Sequence, residues 1–288
     1  MDAVTTDTET QHQPAAPLAI VSGGSSGLGL AVARTLLDNG YRVIIFGRDA
    51  QRLRQAESTL ADAAARPGTL RTVTVDVTDA VAVGDCFEQL TAEQERLELL
   101  VNCVGRSDRG RTESLTPERL LDLVNDNVVS ALLCSQAALP LLRRSRGVVV
   151  NVGSLASRIG ARYLGGYPAA KHALAGLTQQ MRLEWREYGV QVALLCPGPI
   201  RREDGGRRYQ DRADQLPEAA KQPAGGANLA GLPPQRVAHE VLRIARRKRI
   251  ETVLPRRVRL LITIATVLPR LGDWLVLKFT RGTPEDRR

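Results

Sequence analysis

Cysteine is scarce in this chain. Cys86, Cys103, Cys134 and Cys196 are the four present in 288 residues. None stands in a CxxC or Cys/His pattern, so the spacing supports neither a metal site nor a disulfide framework, and a reducing cytoplasm suits them. Aromatic residues make up 3%. Stacking platforms for single-stranded nucleic acid are therefore few, and no helix-turn-helix or zinc-finger spacing appears. Long hydrophobic runs are missing as well: the apolar stretch from Leu260 to Leu268 is too short to span a bilayer, and Arg270 and Asp273 interrupt any extension. Residues 1–17, MDAVTTDTETQHQPAAP, lack both a basic start and an apolar segment and read as a disordered tail rather than a signal peptide.

The formal charge of +9 is concentrated at one end. Residues 236–288 hold 14 Lys/Arg against 5 Asp/Glu, whereas residues 1–235 hold 26 of each. A chain-wide nucleic-acid footprint is excluded by that distribution, and only the tail retains such a reading, which would carry a steep salt dependence.

With 43% hydrophobic residues the chain can bury one substantial core. Short Val/Ile/Leu runs alternate with helical patterns: PLAIVS, YRVIIFGR, TLRTVTVDV, LELLVNCVG, GVVVNVGS and VQVALLCP read as six strands. Helices are expected through the 50s, over about 80–96, from Thr116 to Leu142, and from Tyr167 onward. This alternation predicts an α/β fold, a doubly wound parallel sheet of the Rossmann type in three α/β/α layers, with its ligand site beyond the strands' C-terminal ends. Residues 18–254 form the expected single domain, the irregular stretch 201–234 a lid over the crevice, and 255–288 a basic, apolar, helical extension.

Two short stretches carry chemistry. SGGSSGLG follows the first strand and opens the first helix, so Gly23, Gly27 and Gly29 allow close backbone approach of a pyrophosphate to free helix N–H groups. In YPAAK, Pro168 fits the first turn of a helix and places Tyr167 and Lys171 on one face. A phenol beside an ammonium is a proton donor in waiting, since the positive charge stabilises phenolate; an ordinary surface i,i+4 pair has the same spacing.

The GxxxGxG turn together with YxxxK resembles the short-chain dehydrogenase/reductase family, over about residues 18–200. NCVG at 102–105 is similar to the family's NNAG turn, DVTD at 76–79 to the segment that holds the adenine, and CPGPI at 196–200 to the loop that closes over the nicotinamide. Ser154 precedes Tyr167 by thirteen residues and Asn127 precedes Pro140 by thirteen. The resemblance implies an oxidoreductase. Tyr167 is then the proton donor or acceptor, and Lys171 holds the nicotinamide ribose. Ser154 orients the carbonyl, and Asn127 supports a water-mediated relay. It also implies cofactor contacts from Gly23, Ser25, Ser26, Gly27, Leu28, Gly29, Asp76, Val77, Asn102, Val104, Gly105, Tyr167, Lys171, Pro197, Gly198 and Ile200, no metal, and a homodimer or homotetramer packed through helices near 117–142 and 167–188. Three positions depart from the pattern: Cys103-Val104 replaces Asn-Ala, Ser22 stands where threonine is common, and Arg202 stands where a threonine would bond the carboxamide.

Charge bears on the cofactor. IIFGRD presents Arg48 after the second strand instead of an acidic residue that would repel a 2′-phosphate, so NADP(H) is expected, with Ser25 and Ser26 as helpers. A solvated surface arginine is the alternative. The expected reaction interconverts a ketone and a secondary alcohol on a hydrophobic or lipid-like small molecule. A 3-oxoacyl thioester reductase and a non-catalytic NADP-binding sensor or scaffold are the rivals. Arg106, Arg109 and Arg111 are expected as solvated loop charges near the pocket mouth, with an acidic carrier or phosphate as the alternative role. Residues 255–279 have two readings. They contact a membrane surface, which makes a cytoplasmic protein peripherally associated, or they are buried against the pocket or a partner subunit.

Overall fold

The computed structural model describes residues 16–64, 68–94, 96–201, 216, 220 and 229–279. All but the last two residues of the expected N-terminal tail, and most of the expected lid, Arg202 included, lie outside the described residues.

Seven strands form one all-parallel sheet: β1 (Leu18–Ser22), β2 (Arg42–Gly47), β3 (Leu70–Thr74), β4 (Leu99–Asn102), β5 (Val148–Val152), β6 (Gln191–Pro197) and β7 (Glu251–Leu254). Their order is β3-β2-β1-β4-β5-β6-β7. The chain therefore reverses its winding direction after β3, and the crevice opens between β1 and β4, where loops on either side part. Burial on both faces explains the composition: all five residues of β1 and all five of β5 are buried.

Helices α1 (Gly27–Leu37), α2 (Ala50–Leu60), α3 (Ala80–Glu93), α4 (Pro117–Val124), α5 (Ser130–Ser145), α6 (Tyr167–Glu184) and α7 (Pro234–Arg247) cover the sheet. Their starts are written locally. The Asp49 and Asp79 carboxylates accept the first free N–H groups of α2 and α3, and Thr116 Oγ1 accepts from Arg119 N ahead of Pro117. One core, holding Val32, Leu36, Val237, Val241 and Ile244, lies between the sheet and α1, α2 and α7. The other, holding Phe87, Leu90, Leu141, Leu142 and Met181, lies between the sheet and α3, α5 and α6. These are the three expected layers.

Three features differ from the sequence expectation, the first being helix α7, which was not among the expected helices. The helix expected from Thr116 to Leu142 reaches Ser145 and is interrupted by a π turn at Asn125–Val129 between α4 and α5. Strand β7 was not among the six expected: its four residues lie at the end of the expected domain after the basic RRKR run, yet Thr252, Val253 and Leu254 are buried beside β6. Beyond it, α8 (Val258–Val267) and α9 (Pro269–Phe279) fold back on each other as a hairpin. Gly272 allows the close approach, since a Cβ there would lie 2.4 Å from Ala265 Cα. Among the described residues no helix is long and apolar enough to cross a membrane.

Candidate active site

A cleft of about 2400 Å³ runs along the C-terminal ends of the strands. At one side stands the glycine turn. Gly23 and Gly27 take positive φ (+69° and +52°), and the N–H groups of Gly23 and Gly24 both donate to Phe46 O at 2.9 and 3.2 Å, which pins the turn to β2. A Cβ on Gly29 would sit 2.1 Å from Gly23 O, so only glycine lets helix and turn pack this closely. Ser26, at the N-cap of α1, makes no side-chain cap bond, so the helix start keeps its N–H groups and positive dipole directed to the cleft. This cradle fits a dinucleotide pyrophosphate.

Ser25, Ser26, Leu28, Arg48, Asp76, Val77, Val104 and Gly105 line the same side. The Asp76 carboxylate is not free for a ligand on all sides, because Oδ1 accepts from Thr78 N (3.0 Å) and Thr78 Oγ1 (2.7 Å). Those bonds, the backbone one first, and the nearby Arg48 charge hold its carboxyl below the usual range. Ser22 does the work expected of the commoner threonine: its Oγ accepts from Cys103 N at 3.3 Å. Burial pushes the Cys103 thiol up to about 12, which makes it a packing group and not a nucleophile.

The structure does not bring Asn102 to the cleft. Its side chain turns into the core, where Nδ2 donates to Asn151 Oδ1 at 2.8 Å and Ser135 Oγ at 3.0 Å, while Asn151 Nδ2 donates to Thr178 Oγ1 at 3.0 Å. The residue at the end of β4 therefore ties β4, β5, α5 and α6 together beneath the site.

Tyr167, Lys171, Ser154 and Asn127 all line the cleft, delivered by three elements. Tyr167 opens α6 with Pro168 in its first turn, and Lys171 follows one turn later with its Nζ 5.9 Å from the phenol ring centre. Lys171 is buried, and Nζ donates to Val152 O at 2.9 Å. Burial lowers its pKa from 10.5 to about 8. Ser154 follows β5, and its Oγ accepts from Ala156 N at 3.1 Å while remaining on the cleft wall. Asn127 sits inside the π turn, which widens the helix there and directs the side chain inward. Its Nδ2 donates to Leu123 O and Arg106 O, both at 2.9 Å. Its Oδ1 is buried with no partner among the described residues. A Cβ on Gly105 would lie 2.6 Å from that oxygen and 3.2 Å from Lys171 Nζ, so the glycine keeps open the space that both groups face. An unpaired buried acceptor beside a buried ammonium fits a bridging water and a bound polar ligand.

Pro197, Gly198 and Ile200 also reach the cleft. Gly198 N donates to Leu254 O at 2.7 Å, and Ile200 bridges to Leu232, so the segment after β6 is held from two sides. The far end of the cleft is apolar, with Leu155, Ile159, Leu164 and Leu229 joined by Val258, Leu261 and Val276 of the hairpin. Of the two readings of residues 255–279, burial against the pocket therefore holds for the inner side of the hairpin.

Sequence reasoning missed the support beneath Tyr167. Asp108 is fully buried; it pairs with Arg119 of α4, and its Oδ2 accepts from Gly166 N at 3.3 Å, one residue before the phenol. Gly110 and Gly165 reinforce the contact, since Gly165 N donates to Gly110 O at 3.1 Å and Gly165 takes φ +52°. The expectation that Arg106, Arg109 and Arg111 are solvated is corrected for Arg109: it is 5% exposed, and its Nε donates to Ala220 O at 2.9 Å. Arg106 pairs with Asp126 at 2.9 Å, and Arg111 lies over the Tyr163 ring.

A glycine cradle at the start of α1 and a Tyr/Lys pair across the same crevice define a nucleotide-binding oxidoreductase of the doubly wound class. The chain belongs to the short chain dehydrogenase family, whose model matches residues 17–212. It is 32% identical over 200 residues, 68% of this chain and 72% of the other, to a Streptomyces violaceoruber protein assigned by name to ketoacyl reduction in granaticin polyketide synthesis. It is also 30% identical to the 3-ketodihydrosphingosine reductase of Bacteroides thetaiotaomicron, over 62% of each chain. Among solved structures, an actinorhodin polyketide ketoreductase variant with NADPH superposes with a TM-score of 0.70 at 26% identity, covering 80% of this chain and 90% of that one. The chain is thus a short-chain dehydrogenase/reductase acting on CH–OH or C=O groups.

Two outcomes are expected from this geometry. Between pH 8 and 10.5 the unfolded state holds a proton on Lys171 that the folded state has lost, so this residue makes stability rise with pH across that window. The stability difference between the wild type and Lys171→Met, followed by denaturant unfolding, should therefore grow from about pH 8 to 10.5; a flat difference would mean the ammonium stays charged and paired. Asp108→Ala removes the carboxylate from the Arg119 guanidinium, which keeps the Arg109 carbonyl, and frees Gly166, so unfolding should become easier by about 2–3 kcal/mol. In the folded variant, kcat should fall by as much as ~10²-fold through displacement of Tyr167.

Proposed function

We propose that this protein is an NADP(H)-dependent reductase of a ketone, or dehydrogenase of the matching secondary alcohol, working on a hydrophobic or lipid-like molecule as a homodimer or homotetramer of the cytoplasm that touches a membrane surface through residues 255–279. The convergence of Tyr167, Lys171, Ser154 and Asn127 on one cleft with an apolar far end carries the reading.

The nicotinamide, when bound, supplies the hydride chemistry. The chain supplies the rest. The cradle of Gly23, Ser25, Ser26, Gly27, Leu28 and Gly29 would hold the pyrophosphate, with Arg48 against a 2′-phosphate and Val77, Val104 and Gly105 around the adenosine. Pro197, Gly198 and Ile200 would close on the nicotinamide side, and Lys171 would hold its ribose. In reduction the Tyr167 hydroxyl gives its proton to the developing alkoxide oxygen, and the Ser154 hydroxyl hydrogen-bonds the same oxygen. The Lys171 ammonium stabilises the phenolate left behind, and a water on Asn127 Oδ1 returns a proton from outside. In oxidation each proton moves the opposite way.

The apolar walls from Leu155, Ile159, Leu164 and Leu261 support a hydrophobic substrate. Exposed Leu121 on α4 and Leu183 on α6, with a shallow groove lined by Leu132, Leu139 and Leu177, support assembly through those helices. A 3-oxoacyl thioester reductase is the second reading. The ketoacyl reductase relative favours it; the tie of Arg109 to Ala220 and of Arg106 to Asp126 weakens the case for arginines held free for an acidic carrier.

Tyr167→Phe should lower kcat by about 10²–10⁴-fold with a ketone while NADPH affinity, read by fluorescence titration, stays at the wild-type value. Unchanged turnover would instead fit a sensor or scaffold. Arg48→Ala should weaken NADPH binding about 10–100-fold and leave NADH binding alone. An unchanged ratio between the two cofactors would remove Arg48 as the determinant.

A further inference from the structure

The C-terminal hairpin has two sides with different surroundings. Val258 and Ile262 of α8 are buried against Leu155, Leu194 and Val253, and Val258, Leu261 and Val276 wall the apolar end of the cleft. The outer side carries the largest concentration of exposed apolar side chains on the described surface: Leu260 (69%), Val267 (70%), Leu268, Leu271, Trp274 (52%) and Leu277. The spacing is helical on both members. Leu260 and Val267 stand two turns apart on α8, and Leu271, Trp274 and Leu277 follow at intervals of three on α9. Such a surface is rarely left bare to water.

Charge selects its occupant. Among the described residues of the hairpin segment, Arg256, Arg257, Arg259, Arg270 and Lys278 are exposed, Arg257 at the edge of the cleft, against the single acidic Asp273. The Lys278 ammonium lies 4.9 Å from the Trp274 ring centre, an arrangement in which the indole enters the region between head groups and acyl chains while the amine reaches for phosphate. Five cations and one anion do not favour pairing with an identical copy of the same face, because the like charges would meet. They do complement a negatively charged lipid surface.

We propose that the α8–α9 hairpin docks on an anionic lipid bilayer, with its outer apolar residues inserted at the interface and its inner side still walling the cleft. The placement sets the apolar end of the cleft one helix layer from the acyl chains. This assignment deepens the proposed membrane contact of residues 255–279 by naming the lipid chemistry and the inserted residues, and rests on that reading, but lipid docking itself needs no turnover.

The test uses the full chain in flotation with two kinds of vesicle, pure phosphatidylcholine and an equal mixture with phosphatidylserine. The wild type should float with the mixed vesicles and bind the neutral ones roughly tenfold less. Leu271→Glu/Trp274→Glu should stay in the soluble fraction, and Arg259→Gln/Arg270→Gln should bind the mixed vesicles more weakly. All changed residues are exposed and absent from the cleft wall, so NADPH binding by each variant serves as the folding check. Equal binding to both vesicles would overturn the anionic assignment. No flotation would overturn docking, and so would a concentration-dependent self-association, seen by sedimentation, that the Leu271/Trp274 variant abolishes. Failure to reduce any ketone would count against the proposed reaction and leave the flotation result standing.

Discussion

A buried ammonium with no carboxylate beside it among the described residues organises this molecule. Lys171 donates to Val152 O at the end of β5, and burial makes its charge costly. Around it stand a backbone carbonyl, the Asn127 oxygen that has no partner among the described residues, and the open space over Gly105. On the function proposed above, a bound ribose and an ordered water would complete such a shell. The cost of burial is therefore what couples the fold to its ligand, and α5, α6, β5 and the 102–105 turn all have to be correctly registered for it to be met.

That registration has its own hardware. Below the site the Asn102–Asn151–Thr178 chain links two strands to α6 through buried amide and hydroxyl groups. Beside it Asp108 and Arg119 clamp the residue before Tyr167. Networks of this kind are worth more for specificity of arrangement than for net stability. Their positions, one under Lys171's helix and one at its first residue, keep the phenol and the amine in fixed relation.

Much of this was legible from the amino-acid order. Six strands, the glycine turn, and the Tyr167/Lys171 spacing depend on local rules, namely period, turn chemistry and helix pitch, and each stands where expected. Ser154 and Asn127 were readable only jointly, through their spacing from other motifs. What escaped reading is long-range. Asp108 meets Gly166 across 58 positions, and Arg109 meets Ala220 across 111, so no window of sequence displays either contact. Asn102 matched a cofactor motif yet faces the core, because the alternation along β4 puts it on the same side of the sheet as Leu100, toward α5 and α6. Strand β7 was hidden by its length and by the basic run before it.

Gly198 N donates to Leu254 O. This bond ties the segment after β6 to the last residue of β7, from which the chain runs on into the hairpin, so two walls of the cleft share one of their anchors. A tilt of α8 and α9 would pull on the backbone of residues 197–200 as well, against the second anchor at Leu232, so the width of the entrance is coupled to the outer surface.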